Sequence, residues 1–91
     1  MDRNEMRTMG TRMISEARAL RAAFPDAEVM RELPVSAVPA ATPGESGATS
    51  DLRAALGYLR DEMLLVRAGG ADDLTVLDDE IACVERVFSA L

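Results

Sequence analysis

Over about the last forty residues the apolar positions recur at steps of three and four. Leu74, Leu77, Ile81, Val84, Phe88 and Leu91 make one stripe; Leu52, Leu56, Leu59, Met63 and Val66 make another. That spacing is the seam of a packed helix. Between the stripes lies Arg67-Ala68-Gly69-Gly70-Ala71-Asp72-Asp73. A chain reversal at Gly70 sets the stripes rung against rung: Val66 on Leu74, Met63 on Leu77, Leu59 on Ile81, Leu56 on Val84, Leu52 on Phe88. The pattern predicts an antiparallel helical hairpin with helices over residues 51–68 and 73–91. Ser50 or Thr49 is the expected cap of the first and Asp72 or Asp73 of the second, with Gly69 as a left-handed terminator between them.

A narrower stripe precedes the hairpin. Met6, Met9, Met13, Ala17, Leu20 and Phe24 fall within roughly 80° of arc and predict a helix over residues 4–24. Gly10 costs about 1 kcal/mol inside a helix, so the ordered part is expected to begin near Thr11. Pro25 closes the element by disfavouring helical geometry at Phe24. Residues 26–33 read as a helical turn with Val29 and Leu33 on one face. Residues 34–50 hold Pro34, Pro39, Pro43, Gly44 and Gly47 among Ala, Ser and Thr, the composition of a flexible connector.

The fold class expected is therefore all-α. It is one small domain, a helical bundle built on the C-terminal hairpin, with the N-terminal helix joined by a long Pro/Ala/Gly linker. Ninety-one residues with 48% hydrophobic but only 3% aromatic content suit such a bundle better than a sheet sandwich.

Charge sharpens the picture. The net charge of −6 is unevenly placed: residues 1–24 sum to +2 and residues 25–91 to −8. A basic first helix is thus suited to dock on an acidic last one. The bulk field argues against direct binding to nucleic acid or to anionic membranes. Cys83 is alone, so no internal disulfide forms, and with no signal segment or membrane-spanning run the expected compartment is the cytoplasm. Arg53, Arg60 and Arg67 lie seven apart, along one flank of their helix. The hairpin register sets Arg60 against Glu80 and Arg67 against Asp73, so the expectation is a solvated row of ion pairs; docking on an acidic partner is the competing reading.

Candidate chemistry is sparse. The chain has no His, which removes the commonest metal ligand and general base. Acid-x-x-acid pairs are missing from the hairpin helices, and Asp72-Asp73 and Asp78-Asp79-Glu80 lack the alternation of a calcium loop. No enzyme activity, cofactor, metal site or small-molecule substrate is expected. The strongest functional signal is the width of the apolar surface. On the last helix it spans roughly 200° of arc, about twice what one core needs. Tyr58, Leu65, Val76, Cys83 and Val87 form this second face, interrupted by Glu80. They are the candidate partner-binding residues of a non-catalytic adaptor, chaperone or assembly factor, or the contact of a homodimer. The layout is similar in architecture, without a shared motif, to small helical secretion chaperones and phage-encoded adaptors. The alternative function is an acidic inhibitor of a basic nucleic-acid-binding groove, acting through Asp72, Asp73, Asp78, Asp79 and Glu85.

Overall fold

The computed structural model describes residues 3–91 and is all-α. Its elements are α1 (Arg3–Ala23), α2 (Ala27–Arg31), α3 (Gly47–Arg67) and α4 (Thr75–Ser89). The C-terminal pair α3–α4 makes the most extensive helix packing. Every seam residue is buried or half-buried: Leu52, Leu56, Leu59, Met63 and Val66 on α3, and Leu74, Leu77, Ile81, Val84 and Phe88 on and before α4. Each fully buried Leu or Met contributes about 1.5–3 kcal/mol. An exposed ion pair contributes about 0–1 kcal/mol. The seam therefore sets the fold, and the surface charges only align it.

The glycine-terminated reversal is built as expected, but the cap of α4 is Leu74, without a side-chain cap bond, rather than Asp72 or Asp73. Gly69 has φ +82°, its amide bonds Val66 O at 3.0 Å, and the Gly70 amide bonds Leu65 O at 2.9 Å. This pair of hydrogen bonds back into the last turn is the glycine-terminated helix stop. At the start of α4 the Asp73 carboxylate accepts the Thr75 amide at 3.0 Å, although the helix itself begins two residues later than expected.

α1 completes the bundle against both hairpin helices, burying Met6, Met13, Ala17 and Leu20. Its basic side meets the acidic side of α4. Arg21 makes a two-pronged contact with Asp78 (2.7 and 3.3 Å), and Arg18 reaches Glu85 at 3.2 Å. Gly10 overturns the expected late start of this helix. It is buried in mid-helix, and a Cβ there would lie 2.8 Å from the Phe88 ring. The missing side chain is what lets α1 approach the end of α4, and that packing outweighs the propensity cost. The same ring carries Arg7 at 6.0 Å from its centroid.

Two other expectations are corrected. α3 starts a turn early, at Gly47, because Ser46 rather than Ser50 or Thr49 is the cap: its hydroxyl accepts the Thr49 amide at 3.2 Å. The extra turn carries Thr49 into the core, where it is almost fully buried. In α2 the buried residue is Met30, not Val29, since Asp26 caps the turn through the Glu28 and Val29 amides and so fixes its rotation.

The largest departure is the connector. Residues 33–45 form a strap laid along α3, and the arginine row holds it. Arg67 donates to Leu33 O (3.0 Å), Arg60 to Ser36 O (3.1 Å) and Arg53 to Pro39 O (3.0 Å). Seven helical residues rise about 10.5 Å, which three residues of extended chain match at about 3.3 Å each. The two periods therefore stay in phase, and the strap runs antiparallel to α3. Arg53 also grips Glu45, and this ion pair is nearly buried, with side chains 12% and 6% exposed. From α1, Glu16 accepts both the amide and the hydroxyl of Ser36 (2.9 and 2.7 Å). Ser36 is thus fixed between α1 and α3, while Leu33, Val35 and Val38 pack on the core. Neither Arg60–Glu80 nor Arg67–Asp73 pairs.

Candidate interaction surface

α1 and the strap occupy two sides of the hairpin. Asp78 and Glu85 mark the side of α4 that faces α1, and the arginine row marks the side of α3 that faces the strap. At 100° per residue, Tyr58 and Leu65 on α3 and Val76, Cys83 and Val87 on α4 fall on the remaining side, opposite α1. Helical periodicity thus turns all five toward the same side of the hairpin. They are not equally open. Tyr58 is 67% exposed, Val76 50% and Leu65 48%, whereas Cys83 and Val87 are half-buried and pack on the edge of the core. Three side chains are therefore free to meet a partner, and two support the floor beneath them.

Two carboxylates interrupt this face. Glu62 shares the α3 side with Tyr58 and Leu65, and Glu80 lies across the groove on α4. Glu62 holds its proton above the usual glutamate range, first because it is partly desolvated, then because Glu80 and Asp73 repel its charge. Among the described residues no cation pairs with Glu62 or Glu80, since the nearby arginines are committed to the strap. Glu62 was not singled out from sequence. The signal was present: it lies four residues from Tyr58 and three from Leu65, so it must share their side of the helix.

The acidic alternative fares differently. Asp78 and Glu85 are engaged by Arg21 and Arg18, and Asp73 supports the first turn of α4. Asp72 and Asp79 are exposed at separate places. The five acids do not make one patch.

Among the described residues no group of three or more Cys, Asp or Glu is placed to hold a metal ion, and no helix is long and apolar enough to cross a membrane. The clefts are shallow. One of about 490 Å³ lies between the strap and the outer face, lined by Ala37, Val38, Ala54, Gly57, Tyr58, Arg60 and Asp61. No family model, curated protein or solved structure matches this chain.

Proposed function

We propose that this protein is a non-catalytic interaction module, an adaptor, chaperone or assembly factor, that engages another protein through the outer face of its α3–α4 hairpin. The observation that carries this reading is the exposure of Tyr58, Leu65 and Val76 on a bundle whose core is already filled without them. Scattered exposed apolar residues are ordinary; three on one side of a two-helix groove, flanking carboxylates without partners, form a surface suited to a second chain. Tyr58 supplies the kind of amphipathic anchor that dominates such contacts.

Site-specific photocrosslinking in the native host tests the reading. A photoreactive residue at Leu65 or Val76 should give a discrete protein adduct, and one at exposed Ala19 on α1 should not. Equal adducts from all positions, or none from the outer face, would overturn it. The acidic-inhibitor reading draws no comparable support, because two of its five residues are bound to α1.

A further inference from the structure

The outer face combines two features: apolar side chains in solvent and carboxylates without a cation, of which Glu62 is partly desolvated and repelled by Glu80. Something that covers Tyr58, Leu65 and Val76 must also meet Glu62 and Glu80. A metal ion is not the answer, since the described acids form no metal-holding group. A second copy of this chain fits poorly. A two-fold contact through this face would add a second Glu62 and Glu80 to the two carboxylates already there. Both copies would also carry a net charge of −6. An anionic membrane or nucleic acid meets the same repulsion.

The complement is a helix with cations beside its apolar stripe. Two antiparallel helices packed side by side offer a surface that takes a third, read at i, i+3, i+4 and i+7. From these features we infer that the α3–α4 groove seats an amphipathic helix of a different protein, its apolar stripe on Tyr58, Leu65 and Val76 and its arginine or lysine residues on Glu62 and Glu80. This rests on the interaction reading above and gives it a partner chemistry. The cations remove the repulsion between Glu62 and Glu80, and they set the register of the incoming helix.

The test uses the full chain and two designed peptides of about 18 residues, long enough to span the groove as helices. Both share one leucine stripe; one is flanked by arginine, its twin by glutamate. Fluorescence anisotropy should show one-to-one binding of the arginine peptide, with the twin weaker by about tenfold or more. The double variant Glu62→Gln/Glu80→Gln should weaken the arginine peptide by a similar factor. The control Asp72→Asn/Asp79→Asn should stay within about twofold, since those exposed acids lie off the groove. Circular dichroism confirms that each variant is folded. Equal affinity for the two peptides, or an equal loss in the control, would overturn the inference. So would a chain that forms dimers through Tyr58 and Val76, although that result would sustain the interaction reading. A monomer that binds neither peptide and gives no outer-face crosslink would overturn both.

Discussion

The two sides of the α3–α4 hairpin differ in how they treat charge. On the side covered by α1 and the strap, every arginine on α3 has a named acceptor, and Glu16, Glu45, Asp78 and Glu85 each receive a cation or a donor. On the outer side, Glu62 and Glu80 face each other without a cation while Tyr58, Leu65 and Val76 stand in solvent. The chain has enough arginine to neutralise the outer face but spends it on the strap. Interactions that build the fold are thus segregated from surface left open, and substitutions on the two sides should have opposite signatures: stability on one, binding on the other.

The sharpest way to break this contrast is Arg53→Ala. It strands Glu45 almost fully buried beside the strap, and removing one partner of such a pair should cost about 3 kcal/mol. Urea denaturation measures it, and the paired change Arg53→Met with Glu45→Gln should recover most of the loss. Next in size is Arg60→Ala or Glu16→Ala, each removing charged hydrogen bonds to Ser36, at about 1.5 kcal/mol. Hydrogen exchange should then accelerate across residues 33–41 while the hairpin seam stays protected. Val76→Asp, on the open side, should change folding stability by no more than about 0.5 kcal/mol while reducing partner binding.

The smallest effect has the reverse sign. Glu62→Gln should stabilise the protein at neutral pH by a few tenths of a kcal/mol, as expected for relief of repulsion near a surface. The folded protein holds the Glu62 proton more tightly than the unfolded chain does. The charged form therefore opposes folding, and stability at this position falls as pH rises through the raised titration and recovers as pH falls below it. Thermal melts of the two proteins should diverge above that titration and converge below it. Divergence in the acid limb instead would contradict the assignment of Glu62 to a repulsive groove.

How much of this was legible depended on whether the partner of a residue is a side chain or a backbone atom. The hairpin was readable because an apolar stripe on one helix implies a matching stripe on the other, and Gly69 can be recognised from its type. The docking of α1 was readable from charge asymmetry, and Arg18–Glu85 and Arg21–Asp78 realise it. The strap was not. Arg53, Arg60 and Arg67 bind carbonyl oxygens, which every residue carries, so no letter in 33–39 identifies the acceptors. Proline and alanine there read as linker composition, while nothing in their type says that the segment lies against a helix. Cap choice failed for a related reason: Ser46, Thr49 and Ser50 are chemically alike, and only the burial of Thr49 selects the earliest. The exposure of Tyr58, Leu65 and Val76 was readable from periodicity, but the half-burial of Cys83 and Val87 was not, because periodicity gives the direction of a side chain and not the depth of its neighbours.

The arginine ladder also separates spelling from length. Its three rungs read the positions of main-chain oxygens and are indifferent to the side chains between them. A substitution at Ala37 or Ala40 leaves the rungs in place, whereas one residue inserted between Leu33 and Pro39 puts them out of phase with the seven-residue pitch of α3. The strap is therefore a ruler: its residue count is fixed by the rungs, its letters are held where Leu33, Val35 and Val38 pack on the core and Ser36 bonds Glu16, and elsewhere they are free to drift.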